Sequence, residues 1–271
     1  MFWGIGKVTG IKVSNMKLFS KKKKEQGDIE NFPPIGGLMV SKMITEEHKK
    51  PMFMYREKRS RPEDSGWRIF SGLESNEYTN DPQNAGIYNP STILAIDSSI
   101  AEFLLKGGFG SVFERKSDKS PWYKVTDFPL RDDYPVKHRL TEKWELEINN
   151  LFERKKEDDG NFFYTTGDKS LRLDIWNCSN KTKSDIYEEH KKTIESRDES
   201  KAKTLKSFDF SDDKVNRIGY MIKESDENRE YNVIYGFSII DNQEVFSVLY
   251  FDEDEDLTWA IDTWKGIKLI Q

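Results

Sequence analysis

The sequence predicts an α+β protein of two domains, a small mixed α/β domain followed by an antiparallel-sheet α/β sandwich. Three observations carry this reading. A chain of 271 residues exceeds the usual size of one domain. Between Met54 and Tyr88, the aromatic residues Trp67, Phe70 and Tyr88 lie among Gly66, Gly72 and Gly86, which suits short strands and tight turns around an aromatic core. Between Arg217 and Phe251, segments of strand character succeed one another as an antiparallel meander, and an amphipathic helix follows.

Taken in order, residues 1–31 read as a disordered basic tail, with seven lysines against three acids and the run Lys21-Lys22-Lys23-Lys24. The functional alternative for this tail is attachment to an anionic membrane surface or to nucleic acid, and Met16 is a second candidate start. The first domain spans residues 32–115. Leu38 to Ile44 and Pro51 to Tyr55 read as a strand pair joined by Thr45 to Lys50. Gly66 to Ser71 follows as a third strand, with Trp67 and Ile69 on one face and Arg68 and Phe70 on the other. Asn80 to Asn84 is turn chemistry, Asn89 to Ile96 a short helix, and Ser111 to Glu114 a last strand. Residues 116–136, with Pro121, Pro129 and Pro135, read as the linker.

The second domain spans residues 137–271. Trp144 to Ile148, Asn161 to Tyr164 and Leu171 to Trp176 alternate like half-buried strands, and Ser184 to Glu199 has helical spacing, with His190 on the face of Ile186, Tyr187 and Ile194. Phe208 to Phe210 is a short strand. Arg217 to Lys223, Tyr231 to Ile240 and Glu244 to Phe251 form the meander, with Asp241-Asn242 as a tight turn. Leu257, Ala260, Ile261, Trp264 and Ile267 make one stripe of a final helix. In this order of elements the second half resembles PsbP-like sandwiches, a resemblance of pattern without a diagnostic motif.

With 35% hydrophobic and 13% aromatic residues both halves can bury a core, and no apolar run approaches the ~18 residues of a membrane span. Cys178 is the sole cysteine, which excludes an internal disulfide framework and a four-cysteine metal site and points to the cytoplasm. The start lacks the basic, apolar and small-residue regions of a secretory signal. Residues 32–135 stand near −1 and residues 136–271 near −8, and so acidic a half repels nucleic acid and attracts basic partners.

Gly36-Gly37-Leu38-Met39-Val40-Ser41-Lys42-Met43-Ile44, Met54-Tyr55-Arg56-Glu57, Asp64 through Gly72, Gly86-Ile87-Tyr88 and Phe113-Glu114-Arg115 recur as ordered blocks. Over about residues 36–115 the chain thereby resembles a bacterial family once catalogued as a domain of unknown function and now grouped as immunity protein family thirty-three of polymorphic toxin systems. The resemblance implies a non-enzymatic protein that binds and neutralises a cognate toxin in the cytoplasm, with neither nucleic acid nor membrane as partner. The alternative is an accessory or chaperone-like adaptor that docks other proteins.

Catalytic residues, metal ligands and cofactors are not expected. Lys106 to Ser111 has the glycines of a phosphate loop but leads into Val112-Phe113 and not a helix. His48, His138 and His190 lack metal-ligand spacing. Cys178 and His190 can be imagined as nucleophile and base, against the plainer reading of a stray thiol. The run Asp252 to Asp256 lacks the glycine of a calcium loop and suits a helix N-terminus. Exposed aromatic and arginine side chains anchor protein interfaces, so Tyr55, Arg56, Trp67, Arg68 and Tyr78, with Asp252 and Asp254 on an acidic patch, are the candidate partner contacts. The competing assignment makes Trp67 core and Arg68 an ion-pair partner of Asp64.

Overall fold

The computed structural model describes residues 32–157, 160–226 and 229–270, and the expected basic tail lies outside the described residues. The chain divides into two units at Asp133 and Tyr134. It is α+β, as the sequence predicts.

In the first unit six strands form one sheet in the order β4-β1-β3-β2-β5-β6. They are β1 (Gly37–Ser41), β2 (Phe53–Arg56), β3 (Asp64–Phe70), β4 (Ala85–Tyr88), β5 (Val112–Glu114) and β6 (Tyr123–Lys124). Four short helices, α1 (Lys42–Thr45), α2 (Asn76–Asn80), α3 (Pro90–Ile96) and α4 (Ala101–Lys106), connect them. The expected pairing of the first two strands is corrected: β3 lies between them, parallel to β1 and antiparallel to β2. β1 also ends sooner than its apolar run, because the Ser41 hydroxyl accepts the Met43 N–H at 3.3 Å and starts α1. Residues 116–133, read as linker, include β6, which extends this sheet, while Pro135 and Val136 already belong to β7 of the second unit.

Strand alternation puts Leu38, Val40, Met54, Trp67 and Ile69 on one face, packed against Ile93, Leu94, Ile100 and Leu104 of the helical segments. The opposite face carries Phe53, Tyr55, Phe70 and Val112, partly covered by Val125, Phe128 and Leu130. Arg115 is 4% exposed, donates from Nε to the Pro51 carbonyl at 2.8 Å and pairs with Asp97 at the end of α3. It ties the helical layer to the sheet.

Gly66 stands where the backbone needs a glycine. The register of β1 on β3 jumps from Gly37 opposite Asp64 to Met39 opposite Arg68, so β3 bulges between them. Gly66 sits in that bulge at φ +82°, and a Cβ there would stand 2.3 Å from the Glu57 carbonyl oxygen. Gly66→Ala is therefore expected to destabilise the first unit by about 1–3 kcal/mol, read as a fall in the denaturation midpoint; an unchanged midpoint would show that the bulge relaxes freely.

In the second unit seven antiparallel strands are ordered β12-β13-β14-β15-β11-β10-β9, and three more are ordered β16-β8-β7. The large sheet comprises β9 (Glu153–Lys156), β10 (Phe162–Thr165), β11 (Lys169–Asn177), β12 (Lys206–Asp209), β13 (Asn216–Ser225), β14 (Glu230–Ile240) and β15 (Gln243–Phe251). The small sheet comprises β7 (Pro135–Arg139), β8 (Trp144–Asn149) and β16 (Ile267–Leu269), and helices α5 (Lys183–Glu195) and α6 (Leu257–Lys265) complete the unit. The meander and its turn form as expected, with Asn242 at φ 62°. Ile267 leaves the helix it was read into, since α6 ends at Gly266 and Ile267 opens β16.

Leu171, Leu173, Ile234, Val245 and Leu249 of the large sheet enclose a core with Trp144, Leu146 and Trp264. Gly219 and Gly236 face each other across β13 and β14, and a Cβ on either would come within 2.8 Å of the Trp264 ring. The paired glycines make a slot one ring wide, and Trp264 Nε1 donates to the Ser238 hydroxyl at 3.1 Å beside it. On the sheet's other face α5 lays Ile186 over Ile218 and Ile239. A full capping box of Thr182 and Asp185 starts that helix.

Candidate functional site

The open face of the first sheet holds a cavity of about 240 Å³. Met39, Tyr55 and Phe70, from β1, β2 and β3, line it together with Tyr78 and Asp81 from α2 and the turn after it, and Phe128 to Arg131 close another side. The Tyr55 and Phe70 rings are near parallel, 10° apart with centroids at 6.0 Å, and Phe128 approaches Tyr55 to 5.1 Å. Burial and, next, the Glu57 charge push the Tyr55 phenol up to about 12, against a smaller opposite effect of Arg68.

Arg68 lies on the same face of β3 and is 7% exposed at its side chain. Its Nε donates to Glu57 Oε1 at 2.6 Å, while Nη1 and Nη2 donate to Asp64 Oδ1 and Oδ2 at 2.9 and 2.7 Å. The bidentate pair matches guanidinium and carboxylate geometry. Burial by itself would raise the Asp64 carboxyl, but the Arg68 hydrogen bonds, the Gly66 amide and the Arg68 and Arg61 charges hold it below the usual range.

The expected contact residues separate accordingly. Tyr55 and Tyr78 line the cavity, but Trp67 is 0% exposed in the core and cannot touch a partner without unfolding. Arg68 is committed to Glu57 and Asp64, which is the ion-pair role weighed from sequence. Arg56 points to the helical side, donating to the Ser65 carbonyl at 2.9 Å and the Gly107 carbonyl at 2.6 Å, with its guanidinium 4.8 Å from the Phe109 ring centroid. Asp252 and Asp254 belong to the second unit and do not line this cavity. Asp252 pairs with Arg229 at 2.8 Å, Asp254 accepts from Asn232 at 3.1 Å, and Asp256 pairs with Lys169 at 2.7 Å, so the acidic run is engaged by its own neighbours. The run leads directly into helix α6, the helix N-terminus read for it from the sequence, and that helix begins without a side-chain cap. Sequence reading missed Glu57, Asp81 and Phe128 to Arg131 as cavity residues, because their place depends on which face the helices leave open.

Folding does bring Cys178 and His190 around one carboxylate. His190 Nε2 lies 2.5 Å from Glu244 Oε2, and the Cys178 thiol donates to Glu244 Oε1 at 3.7 Å. Burial, then the Glu244 charge, push the Cys178 thiol up. A nucleophile needs the opposite shift. The His190 ring also stacks on Phe237 at 3.7 Å, which packs it under α5. His138 meets the Tyr164 hydroxyl at 3.2 Å and His48 is exposed, so the three histidines occupy separate surroundings. Among the described residues no group of three or more His, Cys, Asp or Glu is placed to hold a metal ion, and no helix is long and apolar enough to cross a membrane.

By fold and cavity the first unit is a small α+β domain with a groove on the open face of its sheet. Residues 38–126, from the first core strand through β6, match the family described as "Immunity protein Imm33 domain", which is about a third of the chain. No curated protein matches the chain. Among solved structures it is similar to a protein of Bacteroides thetaiotaomicron VPI-5482 at 9% identity and a TM-score of 0.37, covering 52% of this chain and 49% of that one, so the match spans about half of each. It is also similar to the Saccharomyces cerevisiae Ran-binding protein Mog1p at 12% identity and a TM-score of 0.31, covering 48% of this chain and 84% of that one.

Proposed function

We propose that this chain is a non-enzymatic immunity protein that binds a cognate toxin protein in the cytoplasm and neutralises it, with the cavity of the first unit as the contact. The observation that carries the reading is the coincidence of two things: the segment matched as an immunity domain, residues 38–126, builds the sheet whose open face bears the cavity. Tyr55 and Tyr78 remain the anchors at this contact, as rigid amphipathic rings that pack and hydrogen-bond together. The raised Cys178 thiol argues against a cysteine nucleophile, and the single cysteine in the sequence supports a reducing compartment. Asp252 and Asp254 keep a secondary role as an acidic patch on the second unit. That unit has its own core outside the matched segment, which favours an adaptor role as the second reading.

The test is bacterial growth when the full chain is co-expressed with the product of the adjacent gene. Rescue from toxicity is the expected result. A product that is harmless alone, or toxicity that persists with both proteins soluble, overturns the immunity reading in favour of the adaptor.

A further inference from the structure

We propose that the cavity on the open sheet face receives a long basic side chain, Arg or Lys, from an extended segment of the protein partner. This deepens the reading just given and rests on it. Two carboxylates, Glu57 and Asp81, line the cavity against one cation, Arg131. Arg68 offsets only one of the two carboxylates it binds, Glu57 and Asp64, so the lining and its support hold three acids, Glu57, Asp64 and Asp81, against two cations, Arg68 and Arg131. An anionic group would therefore meet an excess of negative charge, with the Arg68 guanidinium already held by Glu57 and Asp64.

Size and floor narrow the occupant further. About 240 Å³ falls below the roughly 300–1,000 Å³ of pockets that hold drug-sized ligands, and fits one long side chain. A purely apolar side chain would suit Tyr55, Phe70 and Phe128 but would strip water from Glu57 without replacing it. A basic side chain satisfies both surfaces. Its methylene stem lies along the aromatic floor, a guanidinium face can stack on a ring, and the charge reaches Glu57 and Asp81.

The experiment titrates the isotopically labelled full chain with three blocked tripeptides, Gly-Arg-Gly, Gly-norleucine-Gly and Gly-Glu-Gly, and follows backbone amide shifts. The arginine peptide is expected to move the amides of Tyr55, Phe70 and Tyr78 saturably, and to bind about tenfold more weakly in the double variant Glu57→Gln, Asp81→Asn. Gln and Asn keep an oxygen that accepts from Arg68 and from the Gln83 amide, which preserves the fold. Raising salt from about 50 mM to about 500 mM should weaken the arginine peptide and leave norleucine unaffected, a second reading that needs no variant. Equal binding of norleucine, preference for glutamate, shifts elsewhere or no shift at all each overturn the proposal. Growth rescue retained by the double variant would also remove the anchor while leaving the immunity reading intact.

Discussion

Trp264→Ala is expected to cost the second unit about 3–5 kcal/mol, the range for emptying a buried large aromatic site. The ring is 0% exposed, edge-on to Phe208 and Phe210, and seated on Gly219 and Gly236. Two adjacent glycines leave nothing that could swing in to fill the void. Ser238 would lose the indole donor as well. Denaturant unfolding with amide exchange in β13 and β14 reads the effect, and a loss under about 1 kcal/mol would show that the core collapses around the gap.

Arg68→Leu should be nearly as damaging to the first unit, at about 3–5 kcal/mol, because it leaves the Asp64 and Glu57 carboxylates without their partner. Its pH dependence has a definite sign. In the native chain Asp64 is held below its ordinary range, so its contribution to stability is present above the unfolded value and is lost as pH falls through the lower folded value. Without Arg68, burial is left to act and raises the carboxyl, so the variant should recover part of its stability on mild acidification, where the native chain only loses. A triple variant that also carries Asp64→Asn and Glu57→Gln should regain much of the loss, since no uncompensated charge is then buried. Parallel pH profiles for native and Arg68→Leu proteins would refute this account of the cluster.

The parts of the fold that were legible in the sequence are those where one strand faces one environment for many residues. In β14, Tyr231, Val233, Tyr235, Phe237 and Ile239 alternate with core-facing positions, so the period of two survives without knowledge of neighbours. β4, β6 and β16, with four, two and three residues, have no period to read and exist through their pairing partners. Helix α2 was not read from the sequence, because it buries nothing and only its last residue falls in the expected turn, and its start is set by the Ser75 side chain. The strand pair β1 and β2 was misjudged by sequential proximity, although a parallel crossover to β3 fills the space between them.

The site was legible by half for a related reason. Alternation separated Trp67 and Ile69 from Arg68 and Phe70, but not which pair the helices would cover. Tyr55 and Tyr78 therefore line the cavity while Trp67 and Arg56 do not. Phe128 and Leu130 flank Pro129 in a stretch read as linker, and their apolar character was the available signal that this stretch packs on something.

The ring-wide slot beneath Trp264 also ties the seating of α6 to the register of the hairpin. Gly219 and Gly236 are opposed in one register of β13 on β14, and a slip by one residue sets Tyr220 or Tyr235 where a glycine is needed. Helix α6 therefore seats only on the correctly paired hairpin. Because α6 is followed by β16, which completes the small sheet against β8, misregistered hairpins are denied the closing strand as well as the helix. The C-terminal helix and strand thus fit one register of the hairpin and not its neighbours, so the end of the chain helps to specify how its middle pairs.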